Sequence, residues 1–420
     1  MHILLIHQAF ATLDEPGGTR HHELVRYLAS RGHRVTVIAS PVSYLTGKQT
    51  AAAKLSDEGE AELVTILRPY TYPAWHRSFL HRVFSFLSFM VSSFICGLGV
   101  RGVDLVWGTS PPIFQGGTAW LLARLKSARF LFEVRDLWPA FAVAVGVLRN
   151  PLLIRPAEWF ERFLYRHADQ VVVNSPGFIE YVKCRGARRV ALVPNGADPD
   201  MFDPTACGFE FRRKYALESR YVVLYAGAHG LSNDLGIVLQ AADKLREQTE
   251  IAIVMLGDGK EKPHLVDQAT EMGLSNVHFL APVPKNQMPQ ALAAADACLA
   301  ILKPIPLYKT VYPNKVFDYM AAGRPVILAI DGVIREVVET ALAGVFVSPG
   351  NPADLAETIL LLAGDRPKGQ SLGLNGRHYI EKYFNRASLA AEMERVVIGA
   401  MEPPVPSTPD IPRTLSSNDK

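Results

Sequence analysis

The chain reads as two consecutive α/β lobes, each built on a largely parallel sheet. Three observations carry that prediction. Short β-rich runs alternate with amphipathic helical stretches along most of the sequence. The alternation pauses once, at the Pro-, Gly- and Asp-rich stretch 194–208, and then starts again. Finally, 420 residues at roughly 100–200 per domain leave room for two or three domains. With 49% hydrophobic and 20% charged residues there is material for two cores, which excludes a disordered or fibrous chain.

In the first half the expected strands are 2–7, 34–40, 62–67, 103–108, 129–134, 170–174 and 190–194. Helical patterns such as 21–32 and 157–168 fall between them, so right-handed βαβ crossovers are expected. The stretch 194–208 reads as the interdomain linker, with hinges near 195–205, and its Asp198-Pro199-Asp200 is turn chemistry rather than an acidic metal motif. The second half supplies strands 221–227, 251–257, 276–280, 297–302, 325–330 and 344–348. Two successive Rossmann-like lobes follow, over 1–196 and 197–385, with a last helical stretch at 386–400. The Pro/Ser-rich tail 402–420 is expected to be disordered and carries no chemistry.

The charge balance, 44 Lys+Arg against 41 Asp+Glu, excludes the clustered basic surplus of a nucleic-acid protein. Cys96, Cys184, Cys207 and Cys298 show no C-x-x-C spacing, so a reduced cytosolic compartment is expected and no metal or disulfide framework. The opening residues read as a strand without a basic leader, again placing the protein on the cytosolic side. One stretch points toward a membrane. The eighteen residues Val83 to Val100 carry no charge and follow His76, Arg77, His81 and Arg82. Four serines and two glycines argue against a span. Phe84, Leu87, Val91, Phe94 and Ile95 are expected to face the domain, leaving Phe79, Phe86, Phe89 and Met90 for a bilayer surface. A peripheral contact over 79–100 is the resulting expectation, with an ordinary buried helix as the alternative.

In open parallel sheets ligands sit beyond the carboxyl ends of the strands, often at helix N-termini. The first such loop holds Gly17-Gly18 just before a helix, where backbone amides can approach an anion, although a tight turn would use the same pair. In the second half, Val311–Gly323 reads as a helix with Pro313 near its first position. Asn314 and Lys315 then fall in the first turn, where free N–H groups favour phosphate, with Lys315 adding a mobile charge. Asp318, three residues on, can accept from a ribose diol; a plain surface pair of Lys315 with Asp318 is the bland alternative. Gly257-Asp258-Gly259 and Ala226-Gly227-Ala228-His229-Gly230 border the same crevice, and His229 can donate to a phosphate oxygen or be merely solvated. Arg135-Asp136, directly after strand 129–134, places a charged pair at the ligand edge of the first lobe; a structural ion pair is the alternative. There is no Walker A loop, no G-x-S-x-G elbow and no H-E-x-x-H helix.

These fragments, in this order, resemble the retaining glycosyltransferases of family 4, which have the GT-B fold; the resemblance implies two lobes facing a cleft and a C-terminal helix at 386–400 that packs back on the first lobe. The carriers are GGTRHHELVRYLASRGHRVTVIAS, HADQVVVNSPGFIEYV, VPNGADPDMF, VLYAGAHG, LGDGKEK and above all PNKVFDYMAAGRPVI, over nearly all of 1–400. Within the family the chain looks most like amino-sugar transferases of bacterial surface-polysaccharide assembly, which share the R-D-L-W-P segment, the start of the donor helix and an apolar stretch near residue 90. The resemblance implies a nucleoside-diphosphate sugar, UDP-linked, in the second lobe and a glycan or polyprenyl-linked acceptor in the first. It implies that Gly17 and Gly18 approach the donor phosphates. It also implies that Asp318 takes the place of the ribose-binding Glu, and that the family's sugar-contacting Glu falls at Thr310. The family's phosphate-binding Arg and Lys fall near Ala228 and Asn233, so both charges are missing; Lys315 with His229 is the candidate replacement. A His is often found in the family where Arg135 stands. The implied mechanism is same-face attack by the acceptor hydroxyl as the nucleoside diphosphate departs, with no metal, no cofactor and no double-displacement nucleophile.

Two rivals use the same lobes. A nucleotide-sugar 2-epimerase would need acid and base carboxylates and no acceptor site. A binding-only subunit would hold the nucleotide and never transfer, which the missing charges encourage.

Overall fold

The computed structural model of the chain describes residues 1–43, 47, 49, 62–73 and 79–402. His76, Arg77 and the tail beyond 402 lie outside the described residues, as do the side chains of Phe79 and Arg82. Two all-parallel sheets stand where the alternation placed them. The first has seven strands, β1 His2–Ile6, β2 Arg34–Ile38, β3 Val64–Leu67, β4 Leu105–Ser110, β5 Arg129–Val134, β6 Gln170–Val173 and β7 Val190–Leu192, in the order β3-β2-β1-β4-β5-β6-β7. The second has six, β8 Tyr221–Ala226, β9 Ile251–Leu256, β10 Val277–Leu280, β11 Ala297–Ile301, β12 Val326–Ala329 and β13 Gly344–Phe346, in the order β10-β9-β8-β11-β12-β13. Every expected strand is present, several of them shorter.

The strands are continuous apolar runs because helices cover both faces of each sheet. Ile3, Leu4, Leu5 and Ile6 of β1 are all fully buried, with Leu4 and Ile6 packed on one side of the sheet and Ile3 and Leu5 on the other. Full burial of such a side chain contributes about 1.5–3 kcal/mol relative to exposure. The second lobe repeats the plan, with Val222, Leu224 and Ala226 of β8 facing one core and Tyr221, Val223 and Tyr225 the other.

The last helix, Arg386–Met401, is capped by Asn385 and returns to the first lobe, where Ala390, Met393, Val397 and Ala400 join the core beneath β1. The chain therefore crosses between lobes twice, and the crossings pair with each other. Ala197 N–H donates to the Phe384 carbonyl at 3.1 Å and Arg386 N–H to the Ala197 carbonyl at 2.8 Å. In the linker, Asp198 accepts from the Asp200 N–H at 3.0 Å, an ordinary turn.

The helix Phe79–Leu98 corrects the sequence expectation about its faces. Its inward seam is Ser85, Phe89, Ser93 and Gly97, spaced by four, and Gly97 meets Leu122 of the helix Phe114–Lys126. Phe84, Val91 and Ile95, expected inside, are 59%, 55% and 64% exposed, and Phe89, expected outside, is buried. The stretch is apolar as expected, but small residues let the two helices approach and so took the packed face. A Cβ at Gly97 would lie 2.5 Å from a Leu122 methyl carbon. Gly97→Val is expected to destabilise the first lobe by about 1–3 kcal/mol through overpacking, read as a lower midpoint in thermal unfolding; an unchanged midpoint would show that the seam yields. No helix among the described residues is long and apolar enough to cross a membrane.

Candidate functional site

The carboxyl ends of the two sheets face each other across a cleft. Several contacts span it. Asn286, after β10, donates from its backbone to the Leu13 carbonyl at 3.1 Å and from Nδ2 to Asp14 at 2.8 Å. Ser175, after β6, donates to the Thr310 carbonyl at 2.6 Å, and Asn195 Nδ2 to the Tyr312 carbonyl at 2.8 Å. The Tyr308 ring stacks on Phe141 at 5.3 Å and belongs to the first lobe's core.

On the second lobe, Gly227 and Gly257 directly follow β8 and β9. Both have φ near +150°, and a Cβ at Gly227 would lie 2.7 Å from Lys315 Nζ. A Cβ at Gly257 would collide with the Gly227 carbonyl oxygen, and one at Gly259 with the backbone of His229. The two loops are thus packed backbone to backbone, with no space for side chains between them. Asn233, in the short 3-10 turn Leu231–Asn233, rests its amide near Gly230.

Lys315 and His229 are the unusual groups here. The helix Asn314–Ala321 begins one residue after Pro313, which is its extended N-cap and not the first helical position expected. Lys315 is half-buried as a whole, yet its Nζ is withdrawn from solvent, 3.8 Å above the Tyr225 ring, and has no hydrogen-bond partner. Burial pulls this ammonium down to about 7. It is not the mobile charge expected from the sequence. His229 is 0% exposed and neither ring nitrogen has a partner; burial, then Lys262 and Lys315, pulls it down to about 4. Buried polar groups without partners are expensive, and His229, just past β8, and Lys315, in the first turn of the helix Asn314–Ala321, are two of them.

Asp318 pairs with a residue the sequence did not single out. Its Oδ2 accepts from Lys285 Nζ at 2.6 Å and from Asn314 Nδ2 at 3.3 Å, while its buried Oδ1 has no partner. The Lys315–Asp318 surface pair is therefore not formed. Thr310 stands in the lobe contact. Its hydroxyl donates to the Leu307 carbonyl at 2.7 Å, its own carbonyl accepts from Ser175, and Gly177 leaves room for its backbone.

On the first lobe, Gly17 (φ +148°) and the exposed Gly18 precede the helix Arg20–Ser30, and a Cβ at Gly18 would lie 4.0 Å from Arg135 Nη2. Arg135 Nη1 reaches His7 Nε2 at 3.4 Å, and His7 Nδ1 pairs with Thr109 Oγ1 at 2.8 Å. Asp136 keeps a buried, unpartnered Oδ1, and burial raises its carboxyl to about 6. Beneath them lies a closed network. Glu133, 0% exposed in β5, accepts from Arg20 Nε at 2.9 Å and Trp107 Nε1 at 3.1 Å, and pairs with His21 Nε2 at 2.7 Å. Arg20 also donates to the Val193 and Pro194 carbonyls.

The structure thus gathers Gly227, His229, Gly257, Gly259 and Lys315 around the ends of β8 and β9, with Asn314 and Asp318 on the adjoining helix. It sets Gly17, Gly18 and Arg135 together on the other lobe. The sequence reading missed His7, Glu133, Lys285 and Arg386. Glu133 alone carried a signal, a lone charge inside the apolar run RFLFEV.

Known proteins carry the same two lobes. A family model described as "Glycosyl transferase 4-like domain" matches 17–196, and one described as "Glycosyl transferases group 1" matches 220–365. A relative from Escherichia coli (strain K12), glycosyl transferase WcaI, named for colanic acid biosynthesis, is 27% identical over 72% of this chain and 76% of its own. Sucrose-phosphate synthase from Thermosynechococcus elongatus superposes with a TM-score of 0.75 at 18% identity, over 95% of this chain and 98% of that one. Anabaena HepE, solved in complex with UDP and glucose, superposes with a TM-score of 0.70 at 17% identity, over 95% and 100%. On both lobes, then, the chain belongs to the group 1, 4-like glycosyltransferases of GT-B fold.

Proposed function

We propose that the protein transfers a sugar, with retention at the anomeric carbon, from a UDP-linked donor to a lipid-linked glycan of bacterial surface-polysaccharide synthesis, with an N-acetylamino sugar as the group moved. The observation that carries the donor site is the buried pair of unpartnered donors, Lys315 Nζ and His229, under Gly227 and Gly257. A diphosphate there would accept from both and from the first turn of the helix at Asn314. As the sugar leaves, negative charge builds on the diphosphate, and these groups with the Gly17-Gly18 amides stabilise it. Asp318, held by Lys285, presents its free Oδ1 to the ribose diol. Arg135 and Asp136 face the acceptor hydroxyl. Protein cations supply the charge neutralisation, so the reading assigns no metal and no cofactor. The relative named for colanic acid biosynthesis supports the polysaccharide setting.

The test is a thermal-shift panel of UDP, GDP, ADP and dTDP with and without Mg²⁺, followed by NMR of the glycoside formed. UDP is expected to raise the midpoint equally with and without Mg²⁺; ligand at a hundred times its Kd adds about 2.7 kcal/mol. An α-linked donor should yield an α-linked product. No shift with any nucleotide would leave a non-binding chain and end the reading, and sugar released without an acceptor as the 2-epimer would point to epimerisation.

The apolar acceptor also accounts for the outward stripe Phe84, Leu87, Val91, Ile95 and Leu98, with Leu121 and Leu125 exposed on the adjacent helix and Arg124 and Lys126 in its last turn. That surface suits a peripheral seat on the inner face of the cell membrane. Val91→Ser with Ile95→Ser is expected to reduce sedimentation with anionic vesicles several-fold and leave UDP binding intact. Equal sedimentation of wild type and variant would exclude the stripe.

A further inference from the structure

A continuous polar chain runs from the donor helix to the loop of the opposite lobe, through the point where the lobes join. Asp318 Oδ2 accepts from Asn314 Nδ2 at 3.3 Å, and Asn314 Oδ1 accepts from Arg386 Nη2 at 3.4 Å. Arg386 Nη1 pairs with Glu23 Oε2 at 3.2 Å, and Glu23 Oε1 accepts from the Thr19 hydroxyl at 2.6 Å. Thr19 follows Gly18 directly and Glu23 lies in the first turn of the next helix. Arg386 is buried, and the same guanidinium also bonds the Gly196 carbonyl in the other crossing strand. It thus touches both lobes and both crossings, whereas a guanidinium needed only to close the C-terminal helix would have no reason to reach Asn314 and Glu23.

We propose that Arg386 is a positioning residue that couples occupation of the donor site to placement of the Gly17-Gly18 loop. A diphosphate at the start of the 314–321 helix draws on the Asn314 amide. The Asn314 carbonyl oxygen and the Arg386 guanidinium then settle together, and Glu23 follows with the first turn that carries the loop. The bond between Arg386 and Asn314 is long and that to Glu23 ionic, so the chain can tighten without new partners. This rests on the donor-site reading above.

The experiment is hydrogen–deuterium exchange of the full chain with and without saturating UDP, read on peptides covering 12–23. In wild type, UDP is expected to slow exchange there. In Glu23→Gln, UDP affinity should stay within about twofold while the slowing falls on the order of fivefold, the low end of a typical coupling. Arg386→Met should also lose it, whereas Glu23→Asp, which keeps a carboxylate for both Arg386 and the Thr19 hydroxyl, should retain most of it, a rescue that a purely structural role would not give. Turnover should follow the same order, with kcat falling and donor KM held. Full slowing in Glu23→Gln, or slowing lost in Glu23→Asp when it unfolds at the wild-type midpoint, overturns the coupling. Failure of wild type to bind UDP removes the donor reading and the coupling with it. Binding without slowing at 12–23 removes the coupling alone.

Discussion

Replacing Lys315 by methionine is expected to lower kcat/KM for sugar transfer by about 2–4 kcal/mol of transition-state stabilisation, on the scale of a lost oxyanion donor. The same change should make the ligand-free protein more resistant to heat. Burial drags the ammonium down to about 7 in the fold, against about 10.4 for an unperturbed lysine. Between those values the unfolded chain binds more protons than the folded one, so folding is disfavoured by the charge and stability rises with pH across that window. Methionine removes this pH dependence. For the donor the sign is opposite. A bound diphosphate favours the charged lysine, so binding takes up a proton above pH 7 and affinity falls as pH rises from there. Calorimetry of UDP-sugar binding in buffers of different ionisation enthalpy checks the uptake. A variant both inactive and less stable would make Lys315 structural, and pH-independent affinity between 6.5 and 9 would remove it from the phosphate site.

Glu133→Leu should destabilise the first lobe by about 3–5 kcal/mol, because it leaves the buried Arg20 charge without its carboxylate. Burial pushes the Glu133 carboxyl up, but His21 and Arg20 outweigh it and hold the group well below the usual carboxylate range. It therefore stays ionised to low pH, and the pairing is lost only in strong acid. Denaturant unfolding followed by first-lobe tryptophans, Trp107 among them, reads the loss. Because Arg20 also braces the Val193 and Pro194 carbonyls just ahead of the first crossing between the lobes, UDP affinity should weaken less than transfer. A loss under 1 kcal/mol would mean that water or another carboxylate reaches Arg20.

Much of the fold was legible. Parallel strands buried on both faces must be apolar runs, and helices between them must be amphipathic, so thirteen strands and their grouping follow from local pattern. Loop glycines marked the strand ends, and Lys315 and Asp318 stood out by spacing at a helix start. The rest was hidden by distance along the chain. Lys285 meets Asp318 from 33 residues away, His7 meets Arg135 from 128, and Arg386 meets Asn314 from 72. No periodicity records such pairings.

Local sequence thus determined which residues form strands and how those strands group into two parallel sheets, since each depends on neighbours within a turn or a strand. Tertiary structure alone decided the burial of the Lys315 ammonium, the partner of Asp318 and the outward face of the helix Phe79–Leu98. Desolvation and close packing depend on what the rest of the chain brings within a few ångströms. At Gly97 a missing side chain lets Leu122 in, and a helix whose apolar residues suited the core turns them to the outside.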